Sequence, residues 1–102
     1  MVLLKDHEEH LDRLPLKRQV HLAADVARVA AAIRTVFAPQ RINYECLGNA
    51  EPHVHWHVIP RHADDPQPKA TIWVRPHEER EVRASDAERE DRVRRLRAVL
   101  GT

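Results

Sequence analysis

The feature that most constrains the fold of this chain is a row of three histidines spaced two residues apart, His53, His55 and His57. Large apolar residues stand between them, and Pro52 and Pro60 bound the row. Side chains alternate between the two faces of a β-strand. The row therefore predicts a short strand between the two prolines, with its apolar face packed and its histidine face free for chemistry.

The spacing of the row also limits what it can bind. Adjacent histidines on a strand lie about 6.6 Å apart, and the outer two about 13 Å apart. A metal ion with ligands at about 2.0–2.1 Å can be reached by one adjacent pair and hardly by all three. A polyphosphate suits the row better, because imidazole N–H groups donate to its oxygens and a neutral ring nitrogen can attack phosphorus.

Residues 53–59 have the form His-φ-His-φ-His-φ-φ, where φ is apolar, and resemble the signature of the histidine triad (HIT) family of nucleotide hydrolases and transferases. Residues 47–52, Pro60-Arg61 and Lys5-Asp6-His7 resemble the corresponding flanks. The likeness covers roughly residues 2 to 75. It implies an α+β fold: a HIT-like antiparallel sheet, one long helix packed on the face opposite the triad, and a C-terminal helix, in an N-terminally short version.

The resemblance also implies residue roles. His55 would be the nucleophile that attacks an α-phosphate and becomes a nucleotidyl-histidine. His57 would help to protonate the leaving group, and His53 would hold the nucleophilic ring in position and tautomer. Asn49 would line the phosphates, although a turn-capping asparagine beside a glycine is equally plausible. His7 matches an upstream histidine present in some members.

The implied substrate is a dinucleoside polyphosphate or a nucleoside phosphoramidate, with an adenine nucleotide as the expected ligand, a homodimer as the expected assembly, and no cofactor or metal. Two alternatives stay open. One is a metal enzyme that uses a histidine pair such as His53 and His55 with Glu45. The other is a non-catalytic nucleotide-binding or interaction module. Trp73 either anchors a loop or lines a nucleotide pocket.

Composition narrows the remaining classes. The 102 residues fit one domain, and 17 basic against 16 acidic residues give no electrostatic footprint for nucleic acid. No apolar run approaches the length of a membrane span, and no targeting segment is visible. Cys46 is the only cysteine, so a reducing compartment, by default the cytoplasm, is expected. Cys46 is predicted to pack in a strand as a small apolar residue.

Apolar spacing predicts the other elements. Residues 2–4 form a brief strand, about 17–37 a long helix, and 41–47 a strand that turns through 48–52 into the histidine strand as an antiparallel pair. Residues 81–83 are predicted to be extended. Ser85 and Glu88 have the form of a capping box, followed by a helix at about 86–100 that ends at Gly101. We divide the chain into a HIT-like domain at 1–76 and a charged C-terminal extension at 77–102.

HIT domains commonly carry further strands and a short helix before the segment that corresponds to residues 2–4. These elements help to hold the base and the ribose. We expect one of three situations: a rudimentary base pocket, a pocket completed by a second subunit, or a natural start that lies upstream.

Overall fold

The computed structural model describes residues 1–80 and 84–101, so the extended segment predicted at 81–83 lies outside the described residues. The strands are β1 (Val2–Leu3), β2 (Arg41–Glu45) and β3 (His55–Arg61), and the helices are α1 (Leu16–Phe37), α2 (His77–Arg80) and α3 (Asp86–Leu100). Short 3₁₀ turns lie at Leu11–Arg13 and Ile72–Val74. The predicted α+β class is confirmed.

The described strands form one antiparallel sheet in the order β1-β3-β2. The pairing of β2 with β3 runs from Arg41 opposite Arg61 to Glu45 opposite His57. The predicted antiparallel pair is therefore confirmed. Because directly opposite residues share a face, Arg41, Asn43 and Glu45 lie on the same face as His57 and Arg61.

The predicted limits of the histidine strand are wrong at both ends. The strand begins at His55 rather than His53 and passes through Pro60 to Arg61. Proline is tolerated here because β1 pairs only with His55 and Trp56, so that side of β3 has no described neighbour at Pro60. The prolines around the motif therefore do not bound the strand.

Helix α1 packs on the sheet face opposite the histidines, as predicted. Its apolar residues recur every three or four positions and so share one side of the helix. The central buried cluster consists of Val26, Ala30 and Ile33 of α1, Ile42 of β2 and Val58 of β3. A second cluster joins Leu4, Leu14, Leu22 and Val54. Both clusters pack against the face of β3 that carries Trp56 and Val58, and His55, His57 and Arg61 lie on the other face.

The ends of the C-terminal helix are as predicted. The Ser85 hydroxyl accepts a hydrogen bond from the Glu88 N–H at 3.2 Å, and Gly101 adopts a left-handed conformation with φ of 77°. This cap satisfies one of the N–H groups that the first turn leaves unpaired. Among the apolar residues of α3, Leu96 packs against the central cluster, whereas Val93 and Val99 are exposed. The helix is thus solvated along most of its surface.

Two arginines attach α3 to α1. Arg28 of α1 donates to the Leu100 carbonyl at 3.1 Å, and Arg95 of α3 donates to the Val36 carbonyl at 2.8 Å. These carbonyls lie at helix C-termini, where they lack partners within the helix. The C-terminal extension therefore docks on the domain, and the proposed division at residue 76 stays a prediction.

Cys46 does not pack in a strand. It lies just after β2 and is exposed, because the pairing of β2 with β3 ends at Glu45. That prediction is wrong. No helix in the described part of the chain is long and apolar enough to cross a membrane.

Candidate active site

His55 is the most buried of the three histidines, with 8% of its surface exposed. Its Nδ1 lies 2.6 Å from the backbone carbonyl oxygen of His53. A carbonyl can only accept a hydrogen bond, so this contact places the ring proton on Nδ1. The other ring nitrogen, Nε2, then carries the lone pair and has no hydrogen-bond partner among the described residues. A neutral nitrogen of this kind can act as a nucleophile.

His53 lies before β3, so the three histidines do not form one regular row. Its Nε2 donates to the Leu4 carbonyl at 2.7 Å, which ties the ring to the segment after β1. The ring of His7 lies nearby, with ring centroids 6.1 Å apart. The contact that orients His55 therefore comes from the backbone carbonyl of His53. The side chain of His53 is bonded to Leu4 instead.

His57 shares the strand face of His55, and their ring centroids lie 5.1 Å apart in an edge-on arrangement. Its ring is also edge-on to the indole of Trp73, at 5.0 Å. Burial lowers the pKa of His57 below its ordinary value, and the positive charge of the N-terminal amino group, like that of His55 when its ring is protonated, adds to this effect. The carboxylate of Glu45 opposes it. The protonated ring of His57 is thus a stronger acid than an ordinary imidazolium, and a smaller fraction of the ring is protonated at neutral pH.

Glu45 and Trp73 form the flank of the site beside His57. The indole N–H of Trp73 donates to Glu45 Oε2, and the guanidinium carbon of Arg80 lies 5.3 Å from the indole centroid. The second carboxylate oxygen, Oε1, is buried without a hydrogen-bond partner among the described residues. Trp73 thus anchors its loop to β2 and contacts a triad histidine, and its role as the lining of a nucleotide pocket stays a prediction.

Arg61, at the far end of β3, is only 5% exposed and makes four hydrogen bonds. Its Nε donates to the Asp65 carboxylate at 2.6 Å, and its Nη1 donates to the Asn43 side chain and the Ala70 carbonyl, each at 2.7 Å. Its Nη2 donates to the Gln67 carbonyl at 2.8 Å. Arg61 therefore joins both strands of the hairpin to the loop that follows β3.

A second arginine completes this cluster. Arg75 lies 2.6 Å from the other carboxylate oxygen of Asp65, so that one acid pairs with two guanidinium groups. The hydrogen bond from Arg61 holds the pKa of the Asp65 carboxyl well below its usual range, and Arg75 adds to the effect. The cluster is charged at neutral pH and fixes the path of residues 62–75.

Asn49 and His7 are more loosely placed. Asn49 is exposed in the segment between β2 and β3, and it makes no hydrogen bond to any other described residue. The adjacent Gly48 has a φ of 79°, a conformation that favours glycine, so this segment turns there. His7 is exposed and approaches only His53. The structure thus brings His7 near the triad, and Asn49 is on the adjoining loop.

The described residues contain no group of three or more His, Cys, Asp or Glu side chains placed to hold a metal ion. The geometry that stands out is instead a pair of histidines on one strand face, with an acid and an indole beside the second. A model of the HIT domain matches residues 1–64. The chain belongs to the HIT family.

Solved HIT structures share this fold. A histidine triad protein from Bradyrhizobium japonicum superposes with a TM-score of 0.83 at 22% identity, covering 97% of this chain and 72% of that one. One from Marinobacter aquaeolei gives 0.81 at 21% identity, covering 96% and 69%. One from Sinorhizobium meliloti gives 0.74 at 24% identity, covering 87% and 64%. At these identities the likeness shows the HIT fold alone.

A comparison with curated protein sequences gave no match. The HIT fold is generally associated with nucleotide-binding hydrolases and transferases, and some members are not catalytic. Sequence reasoning missed Arg61 as the organiser of the loop and did not connect Glu45 or Trp73 with His57. The signal for Glu45 in the sequence is its position in the alternation of β2, the strand paired with the histidine strand. Alternation indicates on which face of the sheet Glu45 lies, but not which residue it contacts.

Proposed function

We propose that this HIT protein cleaves nucleotides at the α-phosphate through a covalent intermediate on His55. The substrate would be a dinucleoside polyphosphate or a nucleoside phosphoramidate, and the adenine nucleotide is the expected form. The observation that supports this most strongly is the hydrogen bond from His55 Nδ1 to the His53 carbonyl, which leaves Nε2 with its lone pair. The nucleophile is therefore prepared before substrate binds.

In the first step, Nε2 of His55 forms a bond to the α-phosphorus, and the bond from phosphorus to the leaving oxygen or nitrogen breaks. The electron pair of that bond goes to the leaving atom, which takes a proton from His57. The attacking ring of His55 becomes a cationic nucleotidyl-imidazolium, still held by its Nδ1–H. The lowered pKa of His57 favours proton donation in this step.

In the second step, water attacks the phosphorus and gives one proton to His57. The bond from phosphorus to Nε2 breaks, and its electron pair returns to the ring as a lone pair. The nucleoside monophosphate leaves, and both histidines regain their starting protonation states. Another acceptor in place of water would make the same site a nucleotidyl transferase.

The remaining site residues have supporting roles in this proposal. His53 fixes the nucleophile through its carbonyl, while its ring ties the segment to Leu4. Asn49 would donate its amide to a phosphate oxygen, and His7 would stand at the edge of the phosphate path. The homodimer and the cytoplasmic location stay predictions.

Intact-protein mass spectrometry tests the covalent step. The protein is mixed with adenosine phosphoramidate or a diadenosine polyphosphate and quenched without acid, because a phosphorus–nitrogen bond to histidine is labile in acid. We expect an adenylyl adduct on the parent and none on His55→Ala. His21→Ala is the matched control, since His21 is exposed on α1, which packs on the opposite face of the sheet, and it should retain the adduct.

Two results would reject the proposal. One is an adduct on His55→Ala, which would place the nucleophile elsewhere. The other is turnover by the parent with no adduct at any time, which would indicate direct attack by water.

A further inference from the structure

A cavity of about 720 Å³ lies along β2 and reaches the end of β3 at Arg61. Its strand side includes Arg41, Asn43 and Glu45, and its other side is formed by residues 68–71. A volume of this size falls within the range of small-molecule sites. None of the roles proposed above uses this space.

The surroundings of the triad and the lining of this cavity share one residue, Glu45. His57 is the proposed acid, so the leaving atom must lie on the His57 side of the phosphorus. Across the strand pair, His57 faces Glu45, which is one wall of the cavity. Glu45 therefore joins the triad to the cavity, and a long group attached to the leaving atom would reach the cavity by passing over β2.

The accessible charge of the cavity is positive. Arg41 and Lys69 line it, and neither forms an ion pair with any described residue. The one acid of the lining, Glu45, already accepts the indole N–H of Trp73 with Oε2, and its Oε1 is buried. Arg61 also lines the cavity, but four of its five N–H groups already donate to Asp65, Asn43 and two backbone carbonyls. The basic side chains of the lining thus outnumber its one acid, and Arg41 and Lys69 are cations without an ion-pair partner among the described residues.

The wall opposite β2 is already formed in the absence of a ligand. Arg61 holds the carbonyls of Gln67 and Ala70 at 2.8 and 2.7 Å, and these two residues bracket Lys69. The backbone that carries Lys69 is thus fixed by a buried side chain. A preformed wall loses little conformational entropy when a ligand binds.

We propose that this cavity is a binding site for a leaving group that carries phosphate, such as the distal nucleoside polyphosphate of a dinucleoside polyphosphate. Arg41 and Lys69 would contact its phosphates, while the cleaved nucleotide stays on His55. The inference rests on the proposed function and narrows it, because it favours a polyanionic leaving group over a small amine. Arg41 and Lys69 are specificity-determining residues in this scheme.

The test compares two substrates that differ in the leaving group. Diadenosine tetraphosphate carries a nucleoside polyphosphate beyond the cleaved bond, and adenosine phosphoramidate carries only ammonia. In Lys69→Glu, kcat/KM for diadenosine tetraphosphate should fall at least about tenfold more than kcat/KM for adenosine phosphoramidate, because one charge-assisted contact becomes a repulsion. In Arg41→Gln the ratio of kcat/KM for diadenosine tetraphosphate to kcat/KM for adenosine phosphoramidate should fall by about fivefold.

Lys17→Glu is the matched control, since Lys17 is an exposed lysine of α1, which packs on the other face of the sheet. It makes the same change in net charge and should leave the ratio within about twofold of the parent value. Turnover of adenosine phosphoramidate reports in every variant that the protein is folded and that the triad works.

The failures of the two proposals differ. If the parent cleaves adenosine phosphoramidate but Lys69→Glu and Arg41→Gln leave the ratio unchanged, the leaving-group site is rejected and the covalent mechanism stands. An equal change of the ratio in Lys17→Glu would reject the site as well, because the effect would then be one of net charge. If the parent cleaves neither substrate, both proposals fall.

Discussion

One face of β3 carries two kinds of buried polar residue, His55 at its start and Arg61 at its end. Both are almost fully buried, at 8% and 5% exposure. Arg61 makes four hydrogen bonds and pairs its charge with Asp65. His55 uses one ring nitrogen and leaves the other without a partner among the described residues. Unused hydrogen-bonding capacity, rather than burial, distinguishes the end prepared for chemistry from the end that holds the structure.

The largest effect should come from removing the unused nitrogen. His55→Ala should lower kcat by at least about 10³-fold, because the nucleophile is lost. Nucleotide binding, measured by calorimetry, should stay within a few-fold of the parent, since the other phosphate contacts survive. Comparable turnover in this variant would mean that His55, like Arg61, has a structural role and is not the nucleophile.

A smaller effect, and on stability instead of rate, is expected at Arg61. Arg61→Ala leaves the Asp65 carboxylate and two loop carbonyls without their donor, so the melting temperature should fall by about 10 °C. Arg89→Ala removes an exposed arginine that also pairs with an acid one turn away, Asp86 at 2.8 Å, and should change the melting temperature by no more than about 2 °C. Equal shifts in the two variants, measured by calorimetric melting, would remove the distinction between the ends of β3.

The smallest effect concerns the protonation of His57. The negative charge of Glu45 raises the pKa of His57 against the effect of burial. Glu45→Gln keeps an acceptor for the Trp73 indole but removes that charge, so the pKa of His57 should fall further. His57 then loses its proton at lower pH. The alkaline limb of the kcat profile should therefore move to lower pH, whereas exposed Glu90→Gln should leave it in place. A shift to higher pH would contradict the role of Glu45.

The regular elements of this fold follow closely from the sequence. The helix predicted at about 17–37 is observed at Leu16–Phe37, and the Ser85 cap and Gly101 stop place α3 at Asp86–Leu100. These features depend on residues within a few positions of one another, so the sequence contains what is needed. The pairing of the histidine strand with the strand before it is equally local, since the two are adjacent in the chain.

The start of β3 was not predictable in the same way. His53 leaves the strand because its ring binds the carbonyl of Leu4, 49 residues away in sequence. Alternation alone cannot distinguish a strand residue from one that a distant backbone group holds beside it. The prediction that Cys46 packs in a strand was wrong for a related reason. The last paired residue of β2 depends on where its partner strand begins.

The site was predictable as a set of residue types and not as a set of contacts. The triad pattern singled out the histidines. Glu45 lies opposite His57 through the strand pairing, but Trp73 contacts both residues only because the loop after β3 folds back over the sheet. That loop follows the hydrogen bonds of Arg61, which in the sequence is one of many charged residues near the triad. Its importance depends on four partners that only the folded chain brings together.

The way in which Arg61 holds this loop has a consequence for how the protein can change. Two of its hydrogen bonds go to backbone carbonyls, those of Gln67 and Ala70, and every amino acid carries such a group. The side chains between them can therefore be exchanged while the loop keeps its course. Mutation or laboratory selection at Pro68 and Lys69 can alter what the neighbouring cavity accepts without rebuilding the strands beneath it.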